Sequence, residues 1–405
     1  MKDILQECWL YIEPTVFIFK ETDKYLFYDS ESKKKIVFIK TNTIEKIVNS
    51  LLDLDNLYCV LLPNNILEEK DVVYLISQLR QAYMCDIIPT TKTKPVVIPP
   101  VMKCHAEKQE NKGHELTPLL SEITFYVNGY CDLSCKHCSE YYRQFKSCYK
   151  NKGELSFEEI KKVIGRILPM AHKVTLNFNG GNILHYSQIN KLFDFLQTIQ
   201  LKSNIHINYL NLEKEISIPS FQSHIYLHLY ITFPLNIELV HYIIYILKKK
   251  ISNICFIFIV EKESDVENAQ NLVTKFKLEQ YVFMPFYNKC NKSFFENYVF
   301  IDEEDLINER PRKIDVFKRQ YINLNNVGKL IISSDGHYFS NLNFPTLGNI
   351  DESIAQIINK EWSMGKAWKL TRTQQPCTDC IYQYLCPSPS NYEIVFNKNN
   401  LCKLK

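Results

Sequence analysis

The sequence predicts an α/β protein, and three observations carry that prediction. Strand-like and helix-like segments alternate six times through the middle of the chain, a shorter mixed unit precedes them, and cysteines gather at two places beyond the first strand of the alternation. The 405 residues allow two or three domains, and an apolar share of 46% is ample for packed cores.

The first unit, residues 1–87, has β-rich segments at Val16–Lys20, Tyr25–Tyr28 and Lys35–Ile39, then helical periodicity from Thr43 to Leu52. A strand-like Leu57–Leu62 and a helix from Glu68 to Tyr83 complete it. Residues 88–117 lose apolar period to Thr, Lys, Pro, Glu and Gln and read as a linker, with Cys104 and His105 as surface residues. Residues 118–290 carry strands at Glu122–Val127, Lys173–Phe178, Asn204–Tyr209, Tyr226–Thr232, Asn253–Val260 and Tyr281–Phe286. Helices fall between most of them, at Ser156–Met170, Tyr186–Ile199, Asn236–Lys249 and Asp265–Lys277, which argues for parallel βα units; Ser156 and Glu159 have capping-box spacing. Residues 291–405 form the cysteine-rich tail. Within it, Lys329–Tyr338 reads as a hairpin turning on Asp335-Gly336, followed by Gly348-Asn349-Ile350 and a helix containing Ile354 to Ile358.

A formal charge of +3 gives no bulk attraction to nucleic acid or to a membrane surface. Met1 to Lys20 lacks the basic-then-apolar layout of a secretion signal. No uninterrupted apolar run approaches bilayer length, and the one near Tyr242–Leu247 stops at three lysines. These features point to the cytoplasm, where fourteen cysteines argue for metal chemistry rather than disulfides.

The stretch Cys131-Asp-Leu-Ser-Cys135-Lys-His-Cys138 sets three thiols at spacings of four and three on a loop leaving a strand. Three thiolates this close can hold three irons of a 4Fe-4S cube and leave the fourth open to an exogenous chelate. A zinc loop or scattered reduced cysteines are the alternatives, although structural zinc prefers paired knuckles and a fourth protein ligand.

With an aromatic ring before its last cysteine, this stretch resembles the signature of the radical SAM superfamily. The resemblance implies a partial (β/α)6 TIM-like barrel with the cluster loop after its first strand. Cys131, Cys135 and Cys138 would be ligands, His137 would be the ring beside the cube, and S-adenosylmethionine would sit on the open iron. Gly180-Gly181-Asn182, at the end of the second strand, resembles the family's Gly-Gly-Glu segment, which binds the methionine amino group; a plain strand-to-helix turn is the alternative. Asn182 stands where the family has Glu and lacks the charge that strengthens such a bond.

The first unit resembles winged-helix-like modules that hold leader peptides, with a plain structural domain as the alternative. The tail sequence Cys377-x2-Cys380-x5-Cys386, with Cys402, resembles the SPASM extension of peptide-modifying radical SAM enzymes. The resemblance implies that these four cysteines bind one auxiliary 4Fe-4S cluster, with zinc as the rival. A second auxiliary cluster would be lost, since Asn341 and Ser390 occupy two of its positions and Cys290 reads as a lone thiol. The run from Cys377 to Glu393, with Trp9–Pro14 and Phe294–Asn297, is most similar to the pseudo-radical-SAM proteins of bacterial ribosomal-peptide maturation. The function expected from these resemblances is modification of a ribosomally made peptide with two clusters and S-adenosylmethionine. A non-catalytic iron-sulfur partner that binds the precursor peptide or an active maturase is the alternative.

Overall fold

In the computed structural model, residues 7–100, 116–169, 173–212 and 221–404 are described. Cys104 and His105 lie outside them. The chain begins with β1 (Cys8–Ile12) and the antiparallel meander β2 (Val16–Lys20), β3 (Lys24–Asp29) and β4 (Lys35–Ile39). Then come α1 (Asn42–Leu52), β5 (Cys59–Leu62), α2 (Asn64–Leu67), α3 (Lys70–Gln81) and β6 (Cys85–Pro89). The first unit therefore has two three-stranded sheets rather than one, because β1 forms the centre of a second sheet between β5 and β6. Helices α1 and α3 bury Ile44, Ile47, Val48 and Leu51, and Val72, Leu75, Ile76 and Leu79, respectively. This one-sided spacing closes a core with Leu10, Ile12 and Phe27. Cys8, Cys59 and Cys85 are buried in this unit. The stretch expected to be a free linker partly packs back, with Val97 N–H donating to Leu57 C=O at 3.1 Å.

The strand–helix alternation forms one nine-stranded mixed sheet. Its consecutive parallel strands are β7 (Glu122–Tyr126), β8 (Thr175–Asn179), β9 (Ser203–Asn208), β10 (Ile225–Thr232), β11 (Ile254–Val260) and β12 (Tyr281–Pro285). The interior strands are buried along almost their whole length, as expected of parallel strands covered on both faces. Four helices fall between strands at the expected places: α5 (Phe157–Ile167), α6 (Ile189–Thr198), α7 (Ile237–Lys250) and α8 (Glu263–Phe276), with the short α4 (Cys138–Gln144) ahead of them. Helix α5 buries Ile160, Val163, Ile164 and Ile167, one stripe of a helix, against the sheet. Among the described residues, no helix is long and apolar enough to cross a membrane.

Beyond β12 come α9 (Lys292–Tyr298), α10 (Glu303–Asn308) and α11 (Lys313–Tyr321). The sheet then crosses the boundary expected at 290/291. Strand β13 (Lys329–Ile332) pairs in parallel with β7, and β14 (His337–Phe339) and β15 (Gly348–Asn349) extend it antiparallel. The expected turn is there, with Gly336 at φ +80. The chain ends with α12 (Ile354–Met364), the cysteine knuckle and α13 (Asn391–Phe396).

The expected capping box at α5 is complete, with Ser156 Oγ accepting from Glu159 N–H and the Glu159 carboxylate accepting from Ser156 N–H at 2.7 Å. Ser156→Ala should lower the free energy of unfolding by about 0.5–2 kcal/mol. A fall in the urea midpoint at constant slope would measure it.

Candidate metal centres

The loop after β7 is held by the end of β8. Gly181 N–H donates to Asn128 C=O at 3.0 Å, Asn182 N–H to Tyr130 C=O at 2.5 Å, and Asn128 Nδ2 returns a bond to Asn182 C=O at 2.9 Å. This approach explains both glycines. A Cβ on Gly180 would meet Asn128 Oδ1 at 2.2 Å, and one on Gly181 would meet Tyr130 O at 2.2 Å and Gly129 O at 2.8 Å. The backbone that presses on the pair belongs to this chain's own loop. Asn182 is buried, and its Oδ1 caps the following turn by accepting from Leu184 N–H at 3.1 Å. The Gly180–Asn182 strip, expected to receive the methionine end of S-adenosylmethionine, thus has its 181 and 182 N–H groups and its capping oxygen engaged internally.

The loop carries Cys131, buried, and Cys135 and Cys138, half-buried, and its end leads into α4. A fourth thiol joins them. Cys148 stands near enough to the loop for its thiol and that of Cys138 to shift one another, and Cys131 and Cys135 add to its electrostatic surroundings. Its segment crosses the ends of the strands. Asn179 Nδ2 donates to Ser147 C=O at 2.6 Å, Tyr149 N–H to Gly180 C=O at 3.1 Å and the Tyr230 hydroxyl to Lys146 C=O, while Lys146 Nζ pairs with Glu122 at 2.7 Å. Burial raises the Cys131 thiol and pushes Cys135 up to about 11. The hydrogen bond from Cys148 lowers Cys138 and raises Cys148.

Apolar side chains stand beside the thiols: Cys135 and Met284 pack on Tyr141, Phe145, Ile257 and Phe286. His137 tilts against Phe286 with ring centroids 5.0 Å apart, and its Nε2 is 3.8 Å from a Glu261 oxygen. An all-thiol set suits iron–sulfur or zinc and not a hard cation. Two thiolates on one zinc lie within about 4.6 Å, twice the Zn–S bond. Among the described residues no three His, Cys, Asp or Glu side chains converge as a metal site. Sequence reasoning missed Cys148, because it lies outside the loop and follows no ligand spacing.

In the tail, Cys377 and Cys402 are among the groups that raise Cys386, and Cys377 and Cys386 are buried. Burial pushes the Cys386 thiol up to about 12 against the pull of Arg372. Arg372 is buried too. Its Nη1 is 4.0 Å from Cys377 Sγ, its Nε donates to Pro387 C=O at 2.7 Å, and its Nη2 pairs with Glu393 at 3.1 Å. The pairing of Ile301 with Cys402 carries the last cysteine into place. Cys380 packs on the cluster that holds Cys386, Ile381, Leu385, Phe17 and Tyr28, and it lines a cavity of about 560 Å³ between the knuckle and β2. Cys290 is exposed. Asn341 donates to Asn326 and Asn391 side chains at 3.1 and 2.6 Å, and Ser390 caps α13.

No family model and no curated protein matches this chain. Among solved structures, it is similar to Streptococcus suis SuiB bound to precursor peptide SuiA, with TM-score 0.48 and 11% identity over 97% of this chain and 98% of that one. SuiB alone gives 0.46 at 11% over 97% and 100%, and SuiB bound to S-adenosylmethionine gives 0.44 at 11% over 97% and 98%. Likeness of this degree assigns no role to any residue here.

Two outcomes follow from the geometry. Gly181→Ala should lower the thermal midpoint in the cluster-free protein, since its Cβ meets backbone that must shift, at a cost of about 1–3 kcal/mol. Arg372→Met leaves the Glu393 carboxylate buried without its partner and should cost about 3–5 kcal/mol, with much of the loss recovered in Arg372→Met/Glu393→Met. Denaturant unfolding of the three proteins measures both effects.

Proposed function

We propose that this chain is an iron–sulfur protein of the radical SAM/SPASM type that works in the maturation of a ribosomally made peptide. The observation that carries the proposal is the set of three enclosed or half-enclosed thiols, Cys131, Cys135 and Cys138, on the loop leaving the first of six parallel strands. The sheet would be the partial barrel of that type, and Cys377, Cys380, Cys386 and Cys402 would hold a second cluster.

The peptide would lie along β4. This edge strand has one hydrogen-bonding side unpaired in its sheet, and it exposes Val37 at 44% and Ile39 at 78%. Helix α3 runs beside it, with Val73 and Tyr74 exposed and the Tyr74 ring 6.0 Å from Phe38. An extended peptide adding to such an edge gains main-chain bonds from the strand and apolar contacts from the helix.

Two roles are open to such a protein, reductive cleavage of S-adenosylmethionine or non-catalytic support of a precursor peptide or of an active maturase. Asn182, an uncharged side chain where the resemblance places a carboxylate, favours the partner role. Anaerobically purified protein should then carry about two 4Fe-4S clusters, on the thiolate count. Replacing Cys131, Cys135 and Cys138 by Ala should remove one and leave the other, and dithionite with S-adenosylmethionine should release no 5′-deoxyadenosine. Release of 5′-deoxyadenosine would restore the enzyme role, and zinc without iron would end the proposal. Val37→Asp/Ile39→Asp should weaken binding of the leader segment of a precursor encoded beside this chain at least tenfold in fluorescence anisotropy. Unchanged affinity would remove β4 as the docking edge.

A further inference from the structure

A cavity of about 190 Å³ lies between β7, β13 and the tail. Its floor follows from strand alternation. Glu122, Thr124 and Tyr126 share one face of β7, and parallel pairing sets Lys329 and Ile331 of β13 beside Glu122 and Thr124. Phe145 and Lys146, just past α4, contribute one wall, and Asn326, Asn341 and Asn391 contribute another. At about 30 Å³ per water in the liquid, the space holds about six waters or one small organic group.

The charges around it do not balance, since two lysines and one glutamate line the cavity. Lys146 Nζ holds Glu122 at 2.7 Å, and Lys329 has no ion-pair partner among the described residues. Burial pulls the Lys329 ammonium below the ordinary lysine range, against the pull of Glu122. Glu361, which does not line the cavity, is already engaged, accepting from Ser340 Oγ and Trp368 N–H at 2.8 Å each.

The amides add donors to that excess charge. Asn341 Oδ1 accepts from the backbone N–H of Asn343 at 2.9 Å, and a backbone N–H can only donate, so the other end of the Asn341 amide is its NH2. That NH2 donates to Asn326 at 3.1 Å and to Asn391 at 2.6 Å, so both of these present oxygen to it. Their own NH2 groups are left over. Among the described residues neither NH2 has an acceptor, and neither is one of the sealed polar atoms that lack a partner, so both reach open space.

One ammonium and two amide NH2 groups are all donors, and charge-assisted bonds make an ionised acceptor their strongest partner. We infer that the cavity is a binding site for a carboxylate group, with Lys329 supplying the opposite charge and Asn326 and Asn391 the flanking donors. One unmatched cation balances one negative charge, which suits a carboxylate better than a phosphate monoester carrying nearly two. The carboxylate can belong to a free small acid or to an Asp, Glu or C-terminal residue of a bound peptide. The second source rests on the peptide-maturation reading, and the site itself does not.

The test titrates the full native chain with succinate, succinamide and 1,4-diaminobutane. A second arm uses the precursor peptide encoded beside this chain, in its natural form and with its carboxyl groups replaced by amides. By calorimetry, succinate or the natural peptide should bind about tenfold or more tighter than its amide counterpart, and the diamine should not bind. Asn391→Asp is isosteric and keeps the oxygen that Asn341 bonds, so it should keep its thermal midpoint while losing about tenfold or more in affinity. Lys329→Met keeps the stem of the side chain and should lose as much. A preference for succinate alone assigns the site to a free acid, and a loss shared by the amide peptide and both variants assigns it to the peptide. Carboxylate forms that bind native protein no better than their amide counterparts overturn the inference, and that measurement needs no variant to fold. Affinities unchanged in both variants overturn it as well. A precursor that binds in neither form removes the maturation reading, and the succinate arm then decides the site by itself.

Discussion

The cluster region depends on the interlock between the loop after β7 and the strip after β8. Two backbone bonds and one side-chain bond join Asn128–Tyr130 to Gly181–Asn182, and both glycines leave room for that contact. Each such bond contributes about 1 kcal/mol net, but leaving its buried partners unpaired costs about 1–3 kcal/mol per group, so the contact tends to form whole or not at all. Once it forms, Cys131 is buried at the mouth of the sheet, α4 starts at Cys138, and the segment carrying Cys148 can lie across Gly180. The chemistry available to the loop is set by backbone packing as much as by the thiols.

That dependence explains which parts of the site were legible in the sequence. The six parallel strands were readable because each buried strand keeps a β-rich run, and the helices between them keep a one-sided apolar stripe. The short β1 and β6 were missed because five residues beside a linker or near a chain start carry little periodic signal. The Gly180-Gly181 pair correctly announced a close approach, yet a glycine says only that something comes near. In this structure the approach comes from the chain's own Asn128–Tyr130 segment. Cys148 was invisible for a related reason. Thiol spacing can be read when the thiols share a loop, and here the fourth arrives from a segment whose place is fixed by Asn179, Gly180 and Tyr230.

The two ends of the chain are packed together in the same way. Phe17, Leu26 and Tyr28 of the N-terminal meander share a core with Leu306, Val316, Ile381 and Leu385 of the tail. The Tyr28 hydroxyl donates to Pro311 C=O, and Lys35 Nζ, on β4 itself, donates to Leu306 C=O at 2.5 Å. A strand anchored at one end to the tail is a stiff edge, and a stiff edge costs a bound peptide less ordering of the protein. The cysteine knuckle adjoins the same core through Cys380 and Cys386, so the packing of the knuckle and that of the meander are physically linked.

The tail also shows how amides can take over a cluster position. Where the resemblance places ligands of a second auxiliary cluster, Asn341 and Ser390 stand among Asn323, Asn325, Asn326, Asn343 and Asn391. Asn323 Nδ2 donates to the carbonyls of Leu370 and Pro389 at 2.8 Å each, and its Oδ1 accepts from Asn325 and Asn326 N–H. Asn341 donates to Asn326 and Asn391 and accepts from Asn343 N–H at 2.9 Å. An amide has both donor and acceptor, so a group of them can satisfy one another in a volume where thiolates would need metal to balance their charge. The loop differs, since it holds thiols beside aromatic rings, and such groups would need a metal to balance their charge as thiolates.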